Sequence, residues 1–377
     1  MIFAYFFVIN TRLNLTKTTG KIMRNITKKF VVILSSLFLS LNAFAGELAV
    51  SGSAKASYAI NGGNDKDVGL GISNELMFKA SGELDNGFTW DYHMELDGND
   101  SGAHDNDDSA LVIGMGGMGT VAICDSECGL SVETGYGVGA LGVGDDFANT
   151  DAMVGNDIDI SDYGNIQYHA PADVLPFGLT AKIGYVPNNS EGDNNSYKSA
   201  GTENTAGSTG DSERQIQITA KPIDGLSIGA DYFTVDGTTG VVAQEAESGG
   251  WYANYAIGNL KFGYGERYLA PGIGDKISAG GHSYEHEQVG VELAVNDAFS
   301  ISYSTEESTR KSYGAAVNAA AGATPFTRTQ ITMESDFLQA AYDIGGATVG
   351  VANVETTNSG YAAGDKTLTI VSLAMAF

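Results

Sequence analysis

A two-residue alternation of apolar and polar side chains runs through most of this chain and constrains its fold more than any other feature. The clearest example spans residues 87–98, where Phe88, Trp90, Tyr92, Met94 and Leu96 alternate with Thr89, Asp91, His93, Glu95 and Asp97. Successive side chains of a β-strand point to opposite faces, so the pattern predicts strands with one apolar face and one polar face. After residue 45, no apolar run is long enough for a membrane-spanning helix.

Connections of two sizes separate the alternating segments. Tight turns rich in Asn, Asp and Gly are expected at 84–87, 223–225, 257–259, 295–297 and 344–346. Long polar stretches lie between them at 99–108, 125–163, 188–212, 237–247, 270–282, 309–327 and 358–365. Antiparallel strands joined in this way place all short turns at one end and all long loops at the other.

The alternation predicts about 16 strands, an even number such as transmembrane barrels have. They cover approximately 47–60, 68–83, 87–98, 109–117, 119–124, 164–170, 178–187, 213–222, 225–236, 248–257, 260–269, 283–295, 298–308, 328–343, 347–357 and 366–377. The polar face carries too many charges for a dry core, among them Lys55, Lys79, Asp91, His93, Glu95, Lys182, Lys261 and Arg267. The sequence therefore predicts an all-β fold, a transmembrane antiparallel β-barrel whose apolar face meets lipid and whose polar face lines a wide aqueous lumen.

The first 45 residues read as an N-terminal extension followed by a secretory signal peptide. From Met23 onward, a basic stretch precedes an apolar run at 30–41 and an Ala43-Phe44-Ala45 cleavage site. We expect the true start at Met23, cleavage after Ala45, and export of the barrel domain, residues 46–377, through the periplasm. The alternative, a membrane anchor, would need a longer apolar run.

Charge excludes one class of partner. The chain has a net charge of -26, and because residues 1–45 hold 6 of the 20 basic residues and no acidic one, the remainder carries 14 basic against 46 acidic residues, or -32. Nucleic-acid binding requires surplus Lys and Arg, so nucleic acid is not expected as a partner.

Several segments resemble general bacterial outer-membrane porins, the trimeric 16-stranded diffusion porins of alphaproteobacterial type. They are SGELDNGFTWDYHMELDG at 81–98, GELAVSGSAKASYAI at 46–60 and LTIVSLAMAF at 368–377, the last ending on Phe377. The resemblance covers essentially the whole exported chain. It implies a homotrimer in the outer membrane, in contact with lipopolysaccharide, that passes ions and small hydrophilic solutes by passive diffusion and has no enzymatic activity.

The resemblance also implies that the third long loop, about 125–163, folds into the lumen and narrows it. This loop has no Lys or Arg, and its acidic candidates for the constriction are Glu127, Glu133, Asp145, Asp146, Asp151, Asp157 and Asp159. A basic wall would face them, with Lys55, Lys79 and Lys182 as candidates; alternatively, each lysine is an ordinary solvated lumen charge. With the acidic excess, this arrangement predicts a pore that prefers cations.

Two further groups of residues are candidate sites. Cys124 and Cys128 lie where the fifth strand meets the long loop, and in an exported protein a disulfide is expected, with free thiols or a metal site as alternatives. Acidic loops offer oxygen ligands for Ca²⁺ or Mg²⁺ at Asp145 and Asp146, or at Asp97, Asn99 and Asp108; alternatively, these residues belong to ordinary solvated loops. No cofactor is required.

Two other functions remain open from the sequence. One is a porin selective for a single nutrient class, and the other is a non-channel surface or adhesion barrel with a plugged lumen. The sequence contains no G-x-S-x-G element, and we expect no catalytic residue.

Overall fold

The chain forms a closed barrel of 16 antiparallel strands in which each strand pairs with its sequence neighbours and the first pairs with the last. This computed structural model describes residues 47–62, 68–98, 104–125, 128–132, 138–141, 160, 164–171, 174–187, 212–236, 245–271, 280–313 and 328–377. The barrel belongs to a compact unit spanning Glu47–Phe377. The predicted extension and signal peptide, residues 1–45, lie outside the described residues. No helix in the described part of the chain is both long and apolar enough to cross a membrane.

The strands follow one another around the barrel in chain order. They are β1 Glu47–Gly62, β2 Val68–Glu83, β3 Thr89–Gly98, β4 His104–Gly114, β5 Thr120–Cys124, β6 Asn165–His169, β7 Thr180–Val186, β8 Ser212–Ala220, β9 Leu226–Asp236, β10 Glu247–Ile257, β11 Leu260–Ala270, β12 Gly280–Asn296, β13 Phe299–Tyr313, β14 Arg328–Asp343, β15 Thr348–Thr357 and β16 Lys366–Ala376. Short 3₁₀ helices occur at Gly116–Met118, Pro176–Gly178 and Ser359–Tyr361.

All sixteen strands overlap the segments that the alternation predicts, but three of them extend at least three residues farther toward the loop end than expected. β4 runs from His104 to Gly114 rather than over 109–117, β12 begins at Gly280 rather than 283, and β13 runs to Tyr313 rather than 308. In β4, backbone pairing with β3 continues beyond a register shift between Met94 and Leu96. The added residues do not alternate between apolar and polar side chains, so the apolar pattern that marks the membrane-facing part of a strand does not report them.

The tight turns lie at one end of the barrel, which we call the turn end, and the long connections lie at the other, the loop end. At the first turn, Gly87 has a φ of 79°, a left-handed conformation that glycine adopts without strain. The Gly87 amide donates to the Leu84 carbonyl at 2.8 Å, and the Phe88 amide donates to Asn86 Oδ1 at 3.0 Å. Local turn chemistry therefore fixes the register of β2 against β3.

The two faces of the wall have opposite character. Outward-facing side chains are large, apolar and exposed, such as Leu70 and Ile72 on β2. Inward-facing side chains on β8 and β14 are polar and buried, such as Gln215, Gln217 and Gln339. An apolar exterior around a polar interior is the arrangement that a bilayer requires of a barrel.

Candidate functional site

The described residues of the connection between β5 and β6 lie against the inner wall of the barrel. Cys124, the last residue of β5, is bonded to Cys128 through a disulfide with an S–S distance of 2.04 Å. Cys124 is buried against Ala110 and Ala122 on the inner wall. The covalent ring therefore fixes the point at which this connection, here named the lumen loop and comprising residues 125–164, leaves the wall.

The first described part of the lumen loop is held by polar side chains of β7, β8 and β11. The Lys182 ammonium donates to the Gly129 carbonyl at 2.7 Å. The Gln217 amide nitrogen lies 2.8–3.0 Å from the successive carbonyls of Gly129, Leu130 and Ser131. Arg267 Nη1 donates to Ser131 Oγ at 3.4 Å. Inner-wall side chains thus bind the backbone of the loop as well as its side chains.

Apolar side chains of the lumen loop fit against glycines of the inner wall. Leu130 and Ile160 contact Gly184 on β7 so closely that a Cβ atom there would overlap both. A Cβ at Gly290 on β12 would lie 2.8 Å from the Val138 carbonyl oxygen, and one at Gly350 on β15 would lie 2.7 Å from Leu141 Cδ2. At each of these glycines the absence of a side chain leaves a recess in the inner wall, here called a notch, that a loop side chain or backbone atom occupies. Val138 occupies a further notch at Gly263 on β11.

Hydrogen bonds continue the attachment around the barrel. The Ala140 amide donates to Ser302 Oγ on β13 at 2.7 Å, and the Leu141 amide donates to Gln339 Oε1 on β14 at 3.0 Å. Near the return of the loop, the Ile160 amide donates to Gln215 Oε1 on β8 at 3.4 Å. The described parts of the loop therefore lie along the inner wall from β7 to β15.

The inner wall opposite these contacts is solvent-exposed. On β2 and β3, Lys79 Nζ lies 3.1 Å from Asp91 Oδ2, with the two side chains 52% and 27% exposed. His93 Nδ1 lies 3.7 Å from the other Asp91 oxygen. On the same wall, Ser53 Oγ donates to Glu75 Oε2 at 3.3 Å. None of the described polar side chains of β1–β3 is buried, in contrast with those of β8 and β14.

The structure separates the three lysines predicted for a basic wall. Lys55 pairs with Ser73 and Lys79 pairs with Ala49, so the two lysines are six residues apart on β2, about 20 Å along the strands. Lys182 binds the root of the lumen loop through Gly129. Lys79 is thus grouped with Asp91 and His93, whereas the other two lysines lie elsewhere on the wall.

Other predicted site residues fall partly outside the described residues. These are all seven acidic candidates of the loop, Glu127, Glu133, Asp145, Asp146, Asp151, Asp157 and Asp159, together with Asn99. The backbones of Asp97 and Asp108 belong to β3 and β4, so this candidate calcium segment begins and ends in strands. Among the described residues, no group of three or more His, Cys, Asp or Glu is arranged to hold a metal ion.

Sequence reasoning missed the residues that hold the loop. Gln215 and Gln217 alternate with isoleucines on β8, which assigns them to the inner face but gives them no visible role. Gly184, Gly263, Gly290 and Gly350 resemble ordinary strand glycines. The sequence offers one indication of their role: all four glycines fall at positions of the alternation where a lumen-facing polar side chain is expected.

Comparison with known proteins gives one family match and a consistent set of similar folds. Residues 32–324 match the family model described as Gram-negative porin. Comparison with curated proteins gave no match. Similar solved structures include the Salmonella typhi OmpF complex with daunomycin, at 13% identity and a TM-score of 0.62, covering 88% of this chain and 98% of that one.

Two further structures each cover 88% of this chain and 100% of their own. They are in-vitro folded OmpT of Vibrio cholerae in its trimer form, at 13% identity and a TM-score of 0.59, and an anion-selective porin from Comamonas acidovorans, at 14% and 0.58. At these identities the likeness shows a shared fold.

Proposed function

The chain belongs to the Gram-negative porin family and forms a non-enzymatic channel of the outer membrane; on this premise we propose that the channel is a general diffusion pore that prefers cations. One observation carries the proposal. The described parts of the lumen loop lie along the wall from β7 to β15, while the inner faces of β1–β3 stay exposed to solvent. This geometry supports a lumen that is narrowed rather than plugged, as passive diffusion of ions and small hydrophilic solutes requires.

The balance of charge supports the cation preference. On the exposed wall, Glu75, Asp91 and Glu95 outnumber Lys55 and Lys79. Residues 125–163 contain no Lys or Arg. An acidic lumen raises the local concentration of cations. Since the porin from Comamonas acidovorans has a similar fold and is described as anion-selective, side-chain charge rather than fold should set the preference.

We place the constriction between the lumen loop and the exposed wall. The apolar side chains of the described loop residues face the wall, so its acidic residues, Glu127, Glu133, Asp145, Asp146, Asp151, Asp157 and Asp159, are proposed to face the water. Lys79 is the best-placed basic partner, because it is exposed and lies beside Asp91. Binding of Ca²⁺ or Mg²⁺ at Asp145 and Asp146 stays a prediction.

The proposal extends to assembly. The similar OmpT structure is described as a trimer form, and we propose a homotrimer for this chain, surrounded by lipopolysaccharide. We also propose that the signal peptide is cleaved after Ala45 and that residues 46–377 are exported through the periplasm.

Planar-bilayer recording and liposome swelling test the pore. We expect stepwise insertions whose conductance rises with salt concentration, and swelling rates that increase linearly with solute concentration and fall with solute size. A plugged adhesion barrel would give no conductance. Saturable flux and block by a single solute class would instead show a nutrient-selective porin.

A further inference from the structure

A groove with aromatic walls lies on the outer face of β9–β11, toward the loop end. Register places Tyr232, Gly249 and Tyr268 in one row across the three strands, with the glycine in the middle. The two tyrosines are therefore two inter-strand spacings apart, about 10 Å. Trp251, two residues after Gly249 on β10, is on the same face and lines the same cavity of about 630 Å³. Three aromatic side chains thus lie around one position that has no side chain, and we call this arrangement the aromatic cage.

Hydrogen bonds to two carboxylates fix the orientation of the rings. The Tyr232 and Tyr268 hydroxyls both donate to Glu247, at 2.8 and 2.5 Å. The Trp251 indole donates to Glu266 Oε2 at 3.1 Å. Because Glu247 bridges the two tyrosines, the cage is closed on its loop-end side. The rings are therefore held in place by two negative charges before any ligand arrives.

Gly249 keeps the centre of the cage open. A Cβ atom at this position would lie 2.7 Å from the Asp231 carbonyl oxygen, and a larger side chain would project between the two tyrosines. A cation over the glycine is about 5 Å from each flanking strand, so both tyrosine rings fall within the roughly 6 Å over which a ring attracts a cation. Aromatic side chains around an open centre are the arrangement that binds quaternary ammonium groups.

The charges beside the cage favour a cation and disfavour an anion. Glu266, Glu287 and Glu307 lie directly opposite one another across β11–β13, on the outer face. Like charges in such a row repel one another, and together they attract a positive ligand and repel a phosphate. Both oxygens of Glu247 already accept a hydrogen bond from a tyrosine. An ammonium group that donates no hydrogen bond therefore fits the cage best.

Toward the turn end, the cage opens onto apolar surface. Ala230 pairs with Trp251, and Ala253 pairs with the exposed Ile228. Two small side chains thus lead from the rings to an exposed isoleucine. This path follows the membrane-facing wall, where burial of an alkyl chain is favourable.

We propose that the aromatic cage binds the quaternary ammonium headgroup of a membrane amphiphile that carries no phosphate, with the nitrogen over Gly249 and the alkyl chain over Ala230 and Ile228. The rings supply cation–π attraction, the carboxylates supply the opposite charge, and the apolar path supplies burial of the chain. The site lies outside the pore, and it does not depend on the ion preference proposed above.

Fluorescence of Trp251 tests the site directly. The chain has two tryptophans, so Trp90→Phe leaves Trp251 as the single reporter. The assembled protein, in micelles of a neutral detergent, is titrated with dodecyltrimethylammonium as a minor component. We expect a saturable change in emission. In Tyr268→Leu the affinity should fall roughly three- to thirtyfold, the effect of losing one cation–π contact.

Tyr303→Leu is the matched control. Tyr303 is also exposed on the outer face and donates to a carboxylate, Asp336 at 2.5 Å, but it lies on β13, outside the cage. This variant should bind the amphiphile as the wild type does. Equal affinity of Tyr268→Leu and Tyr303→Leu would overturn the cage, since general attraction to an acidic face would then explain the binding. If Tyr268→Leu does not assemble, Tyr232→Leu removes the opposite wall and gives the same comparison.

Three further ligands test the chemical class. Equal binding of dodecylammonium would overturn the choice of a quaternary headgroup. Equal binding of dodecylphosphocholine would overturn the exclusion of phosphate. Equal binding of tetramethylammonium, which has no alkyl chain, would assign the cage to a soluble cation and overturn the membrane amphiphile.

Discussion

Lys79 and Asp91 form an ion pair that water reaches freely, and this exposure decides what the pair does. With side chains 52% and 27% exposed, the pair is solvent-screened and contributes at most about 1 kcal/mol to stability. Its charges, however, face a lumen in which ions pass nearby. We therefore expect the pair to affect permeation more than folding.

Removing one charge of this pair should shift ion preference without unfolding the barrel. We expect Lys79→Gln to increase the cation-to-anion permeability ratio and Asp91→Asn to decrease it, with the free energy of unfolding changed by less than about 1 kcal/mol. Lys311→Gln is the control, since Lys311 pairs with Glu285 on the outer face. Identical permeability ratios for Lys79→Gln and wild type would place Lys79 outside the ion path.

The disulfide acts locally because it closes a very short ring. Replacing Cys124 and Cys128 together by Ala should cost about 2 kcal/mol of unfolding free energy, the loop-closure value for a ring of this size. We expect the barrel to persist and the current to become noisier as the loop root loosens. Thiol titration of the unreduced protein should find no free thiol; a stoichiometric signal would contradict the bond.

At the residue scale, the sequence alone assigns each strand residue to the inner or the outer face of the barrel, but it does not give the position of that residue along the barrel axis. Alternation places Lys55 and Lys79 correctly on the lumen side. Their separation along the wall depends on how β1 pairs with β2, and this register comes from turn and barrel geometry rather than from either lysine.

At the scale of elements, the lumen loop is held by shape as much as by hydrogen bonds. Val138, Leu141, Leu130 and Ile160 fit against wall glycines, and Gln217, Ser302 and Gln339 bind its backbone. The number and approximate positions of the strands were predictable because the alternation is a local pattern, although the loop-end limits of β4, β12 and β13 were not. The contacts between the loop and the wall glycines were not predictable either, because each of them joins residues from distant parts of the chain.

Filling a notch should move the loop. Gly290→Ala places a methyl group against the Val138 carbonyl, where overpacking costs about 1–3 kcal/mol or displaces the loop into the lumen. We expect lower single-channel conductance and more frequent voltage-induced closure. Gly71→Ala on β2 is the matched control, since it adds a methyl to the lumen wall where no atom lies within 4 Å. Equal conductance in the two variants would show that the notch does not position the loop.

At the scale of the whole molecule, the fold and the charge have separate origins. Alternation and turn chemistry specify a closed barrel with an apolar exterior, and the family match extends this to an outer-membrane channel. The acidic excess of -32 in residues 46–377 adds nothing to the fold. It should instead act on the ions that enter the lumen.

Zero-current potential in a KCl gradient tests the central claim most directly. With the wild-type protein in a planar bilayer, we predict a reversal potential of the sign set by K⁺ moving toward the dilute side. The potential should shrink as salt rises, because the screening length falls from about 10 Å at 0.1 M to about 3 Å at 1 M. A potential of the opposite sign, showing preference for Cl⁻, or one near zero at low salt, would contradict a cation-preferring pore.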